Sequence, residues 1–131
     1  MAPKTTIPRP TDAELAILRV LWTRGPSSVR EVHHALNDER SEPTGYTTVL
    51  KLMQIMTTKG LVSRDDSQRP QIYSAREAEE RTQRRLLQHL VQRAFGGSHR
   101  DLVLQALSDR KATPDELAQI EALLDRLEDR R

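Results

Sequence analysis

Leu15, Leu18, Leu21 and Trp22 share one face of a helix, which Thr11 and Glu14 can open as a capping box and Gly25-Pro26 stops. Ser28 with Glu31 repeats the box, and Val29, Val32 and Leu36 carry a second helix to about Asn37. The polar connector DERSEPTG follows. Thr44 then reads as the cap of a third helix, in which Val49, Leu52, Met53 and Met56 lie on a common face and Ile55 adds bulk beside it. That helix lasts to about Lys59 and ends at Gly60, a residue suited to a left-handed cap. Two short β segments, residues 61–64 and 71–74, flank the turn-rich tip DDSQRP and predict a hairpin. From Arg76 the pattern is wholly helical. Leu86, Leu87, Leu90, Val91, Ala94 and Phe95 line one side of a long helix over about residues 78–95, and Gly96-Gly97 break it. Ser98 with Asp101 opens the stretch DLVLQAL. Thr113, Pro114 and Glu116 open a last helix, with Leu117, Ile120, Leu124 and Leu127 at 3-4-3 spacing.

This order predicts a mostly α protein. Residues 1–10, with three prolines, read as a flexible N-terminal arm. Residues 11–75 have the helix-helix-helix-hairpin order of a winged helix-turn-helix DNA-binding domain with a short β-hairpin wing. Residues 76–131 predict an α-helical dimerisation domain, because three helices in so short a stretch can hardly bury their apolar faces alone. Leu86, Leu90, Val91, Phe95, Leu104, Leu107, Leu117, Ile120, Leu124 and Leu127 are the residues expected to meet a second copy of the chain.

Composition narrows the function. Charged residues make up 31% of the 131 and aromatics 3%, which suits small modules better than one large core. The net charge of +2 is too small to establish a nucleic-acid partner, although the pI of about 9.3 is basic. The excess sits in residues 1–75, with 10 Lys and Arg against 8 Asp and Glu; residues 76–131 carry 11 of each. The absence of cysteine excludes disulfides, thiol chemistry and Cys-type zinc sites. No apolar run is long enough to span a bilayer, and the N-terminus has no apolar signal region, so a cytoplasmic protein is expected. His33 and His34 are adjacent on a helix and point about 100° apart, unsuited to chelating one ion. Glu77, Glu79 and Glu80 favour a helix dipole rather than forming a catalytic pair. With no phosphate loop, nucleophile elbow or ligand cluster, neither an enzyme, a cofactor nor a metal site is expected.

The third helix carries the candidate site. Its start, Thr44, Tyr46, Thr47 and Thr48 with Lys51 behind, is small and polar, while its other face is apolar. A recognition helix reads the major groove of double-stranded DNA with its first turns. Hydroxyls there can meet base edges or phosphates, and the positive end of the helix dipole faces phosphate. Arg64 and Arg69 flank the hairpin tip, placed to grip the backbone. A hydroxyl-rich helix start is often only a cap, and wing arginines are often only solvated. The winged order favours the binding role for both. A protein–protein adaptor of the same shape is the alternative from another class; acids in place of Lys51, Arg64 and Arg69 would have favoured it.

PTDAELAILRVLWTRGPSSVREVHHAL, YTTVLKLMQIMTTKGLVSR, QIYSA, AFGGSHRDLVLQAL and TPDELAQIEALLDRLE together resemble the BlaI/MecI penicillinase-repressor family from about Thr11 onward. The family also includes copper-responsive repressors. The resemblance implies a homodimer of winged helices on a palindromic operator, with DNA contacts from Thr47, Thr48, Lys51 and Tyr46. It also implies a sensor protease as a partner and a β-lactam response, with a ligand- or copper-type release as the alternative. Two departures stand out. The family often has arginine where this chain has Ile55, and the stretch RRLLQHLVQRAF lacks the Asn-Phe bond at which family members are cleaved.

Overall fold

Six helices and one hairpin make up the described residues, 8–39, 43–109 and 112–129, of the computed structural model. They are α1 Asp12–Arg24, α2 Val29–Glu39, α3 Tyr46–Lys59, β1 Val62–Asp65, β2 Ile72–Ala75, α4 Glu79–Ala94, α5 His99–Asp109 and α6 Pro114–Asp129. The fold is mostly helical, a winged helix followed by a helical region, as the hydrophobic pattern predicts. Residues 1–7 of the expected arm lie outside the described residues. The chain divides into two compact units, one ending at Leu86 and the other beginning at Leu87.

Local chemistry sets the helix boundaries. At α1 the Thr11 Oγ1 accepts from the Glu14 N–H at 3.2 Å, while Glu14 Oε1 accepts from the Thr11 N–H at 2.9 Å. Ser28 and Glu31 repeat this at α2, and Thr113 and Glu116 at α6. The Ser98 Oγ accepts from the Asp101 N–H, one half of the same device, at α5. Gly60 closes α3 with φ 83°, and the Leu61 N–H reaches back to the Met56 carbonyl at 2.9 Å. The strands begin at Val62 and Ile72, one residue later than the sequence pattern suggests. The reason for β1 is that the helix end consumes the Leu61 N–H. Antiparallel pairing then matches Val62 with Ala75 and Asp65 with Ile72. Ser27 exchanges two backbone hydrogen bonds with Tyr73, at 2.8 and 2.9 Å, so the segment before α2 borders the hairpin as a third, one-residue strand.

Ile17, Val32, Val49, Met53 and Met56 are fully buried, with Leu18, Leu21, Leu36, Leu61, Val62 and Tyr73 around them. Each such side chain contributes about 1.5–3 kcal/mol relative to staying exposed. α3 is thereby fixed to α1 and α2 along one whole face. Two further ties complete the unit. The Trp22 Nε1–H donates to the Glu77 carbonyl at 3.0 Å. The Glu77 carboxylate in turn accepts from Arg85 and from Thr82 Oγ1, both at 2.6 Å, which secures the start of α4 to this unit.

Glu14 has a second partner besides its cap. Its carboxylate, 2% exposed, accepts from Lys59 Nζ at 2.9 and 3.1 Å, joining the start of α1 to the end of α3. Burial pushes this carboxyl up, but Lys59 and the Thr11 groups outweigh burial and hold it below its ordinary 4.5. A carboxyl depressed on folding stabilises the native state above its ordinary value, and that stability is lost as pH falls toward the folded value. Glu77, lowered chiefly by Arg85, has the same sign. Thermal unfolding scans should therefore show declining stability on acidification below about pH 4.5. Glu14→Gln, which can keep the capping box, should be less stable at neutral pH and lose less on acidification.

The second unit is built differently. Val91 is its fully buried apolar side chain, and α6 has no buried residue. Val91, expected from the sequence to meet a second chain, is thus already buried within the single protomer. Leu90, Leu104, Leu107, Leu117, Leu124 and Leu127 are all exposed, with Leu87, Val103 and Leu123 in the same state. Leu86, Phe95 and Ile120 are half-buried. Among the described residues, no helix is long and apolar enough to cross a membrane.

Candidate nucleic-acid interface

Val49, Met53 and Met56 turn one side of α3 into the core. At about 100° per residue, the opposite side is an arc of about 120° centred on Lys51 and holding Thr47, Thr48, Gln54, Ile55 and Thr58. All six are exposed. Thr47 and Gln54 lie along one margin of the arc, and Thr48 and Ile55 along the other. Ile55, read from the sequence as bulk beside the core, is 40% exposed and belongs to this outer face. Gln54 and Thr58 were not among the sequence candidates. The signal for both was present in the i+3 and i+7 spacing from Lys51, but their polarity alone does not distinguish them from ordinary surface residues.

The helix start differs from the sequence reading in one respect. Its N-cap is Gly45, with no side-chain capping bond, and not Thr44. Thr44 is half-buried and held from α2 instead. Its N–H donates to Asn37 Oδ1 at 2.8 Å, and its carbonyl accepts from Asn37 Nδ2 at 3.1 Å. The Thr44 N–H fixes which Asn37 atom is oxygen. The same Nδ2 lies 2.9 Å from His33 Nε2, so that ring nitrogen is the acceptor and the histidine proton sits on Nδ1. Tyr46, 46% exposed, packs edge-on against the His33 ring with centroids 5.7 Å apart. It therefore flanks the turn between α2 and α3 and lies off the outward arc. His33 belongs to this network, whereas the exposed His34 stands 3.7 Å from Asp38.

Because α3 contains no carboxylate and its cap no side-chain acceptor, the N–H groups of its first turn, the Thr47 and Thr48 hydroxyls and the Lys51 ammonium form one surface of hydrogen-bond donors and positive potential. The wing is electrostatically mixed. Arg64 Nε pairs with Asp66 at 2.6 Å, and Asp66 and Tyr73 hold its guanidinium pKa above the ordinary value. Asp65 ties the tip through Ser67 and Gln68. Arg69 donates to the Asp66 and Gln68 carbonyls, contacts that leave its charge uncompensated. Arg64 and Arg69 thus both flank the tip as expected, with Arg69 the more available for an anion.

Among the described residues, no group of acidic, histidine or cysteine side chains is placed to hold a metal ion. The sequence model of the family described as penicillinase repressor matches residues 10–126. A search among curated proteins gives no significant match.

Proposed function

The chain belongs to the penicillinase repressor family, and from that premise we propose that it is a homodimeric, cytoplasmic transcriptional repressor that sets α3 of each protomer into a major groove of a palindromic operator. The observation that carries this is the outward arc of α3, donor-rich and free of acids, on a helix whose other face is locked in the core. Thr47, Thr48 and Lys51 meet base edges and phosphates. Tyr46 and Thr44 hold the turn that aims them, and Arg69, with Arg64 once it leaves Asp66, reaches the backbone beside the groove. The second unit leaves nine large apolar side chains exposed, and a second copy covers them. Two-fold symmetry then matches an inverted repeat with half-sites about 34–36 Å apart or a multiple of that.

Occupancy blocks transcription, and an inducing signal releases it; a β-lactam response is the one the family resemblance implies. No Asn-Phe bond stands in α4, so proteolytic release would need a different bond.

Mobility shift and footprinting on the promoter of its own gene test the proposal. A protected palindrome is expected, with binding that weakens steeply as salt rises. Lys51→Ala should lower affinity and, where Lys51 meets phosphate, reduce the slope of log affinity against log salt by about 0.9. An unprotected promoter, or binding indifferent to both Thr48→Ala and Lys51→Ala, would rule the proposal out.

A further inference from the structure

We infer that Gln54 is a specificity-determining residue whose side-chain amide pairs with the major-groove edge of an adenine in each half-site. The inference rests on the DNA-binding role of α3 proposed above and goes on to a residue and a base.

Gln54 is exposed, and among the described residues its amide has no hydrogen-bond partner. Besides the backbone bonds of the helix, Gln54 takes part through its carbonyl, which accepts from Thr58 Oγ1 at 3.3 Å. The amide is therefore free to meet another molecule, unlike that of Asn37, which is fully occupied within the fold.

Position and chemistry point the same way. Gln54 follows Thr47 by two turns on the same margin of the arc, about 10 Å along the helix axis. That reach lies within a major groove about 12 Å wide. Lys51 stands between them to neutralise phosphate, and α3 has no carboxylate to repel the backbone or capture the amide. A glutamine amide presents one donor and one acceptor side by side. Adenine offers the complement, N7 as acceptor and N6–H as donor. Guanine offers two acceptors, cytosine a donor alone, and thymine an acceptor beside a methyl group, so only adenine satisfies both ends of the amide. The opposite margin has no such group, since Ile55 there is apolar.

Selection of duplexes from a randomised pool, by full-length wild type and by Gln54→Ala, tests this, with circular dichroism showing that each keeps its helices. Wild type should recover a palindrome in which one position per half-site is adenine, preferred about tenfold or more over the other bases. Gln54→Ala should flatten that position alone and leave the rest of the palindrome and the salt slope unchanged. Gln54→Glu should move the preference there toward cytosine, whose N4 amino group donates to a carboxylate. The same palindrome recovered by wild type and Gln54→Ala overturns the inference and leaves the repressor proposal standing. So does a loss spread evenly over all positions. A wild type that recovers no palindrome overturns the repressor proposal itself, and the assignment of Gln54 with it.

Discussion

Replacing Leu117 and Leu124 together with glutamate should turn the protein into a monomer and lower its affinity for a full operator by about 10²–10⁴-fold. Both leucines are on α6, a helix with no buried residue, and they are 45% and 53% exposed. Leaving so much apolar surface in water forfeits about 25 cal/mol for each Å² that a partner could cover. Burying a carboxylate there without a partner costs several times what the leucine contributes. Neither residue lies in the winged unit, which has its own core around Val49 and Met53, so that unit should remain folded. The affinity loss comes from geometry. In a dimer the first half-site engaged holds the second winged unit at high effective concentration, and a monomer has no such advantage. Sedimentation velocity should report the change in mass, and binding to an isolated half-site should be nearly unaffected. A double variant that stays dimeric and binds the full operator normally would remove α6 from the interface.

Which parts of this molecule could be read from the chain follows from the range of the interactions. Caps, breaks and faces are local, so Thr11 with Glu14, Ser28 with Glu31, and Thr113 with Glu116 announced three helix starts correctly. Gly60 announced the end of α3, but not that its helix end would also take the Leu61 N–H and delay the strand. The outward position of Thr47, Thr48 and Lys51 follows from the opposing run of Val49, Met53 and Met56. Contacts between distant residues left no such trace. Glu14 looked complete as a capping residue, yet its carboxylate also holds Lys59, 45 positions away. Trp22 looked like one more core residue, yet its ring N–H secures the Glu77 carbonyl. Thr44 had the chemistry of a cap and sat one residue too early, because Asn37 pins its backbone and moves the cap to Gly45. Ile55 read as bulk beside the apolar face, and the angular position that follows from Met53 and Met56 carries it round to the outer side, where it is 40% exposed.

Asn37→Ala should destabilise the winged unit by about 1–3 kcal/mol, because it removes the two hydrogen bonds by which Asn37 holds the Thr44 backbone. It should also weaken operator binding by about tenfold, since the turn into α3 must then be ordered at the moment of binding. Asn37 alone closes three contacts, two to the Thr44 backbone and one to His33 Nε2, and His33 supports the Tyr46 ring at the start of α3. Removing it loosens the end of α3 proposed to enter the groove, while the buried stripe from Val49 to Met56 keeps the rest of the helix seated. The two effects can be separated. A small domain typically has about 5–15 kcal/mol of stability, so the variant remains almost wholly folded at room temperature. Its lost affinity is then a loss of positioning. Urea titrations should show a lower midpoint with an unchanged slope, and mobility shifts in the fully folded range should show the weaker binding. Ile17→Val, buried in the same core but outside this network, serves as the control, at a cost of about 0.5–1.5 kcal/mol and with operator affinity maintained. If Asn37→Ala binds as tightly as Ile17→Val, the clamp between α2 and α3 stabilises the fold without aiming the recognition helix.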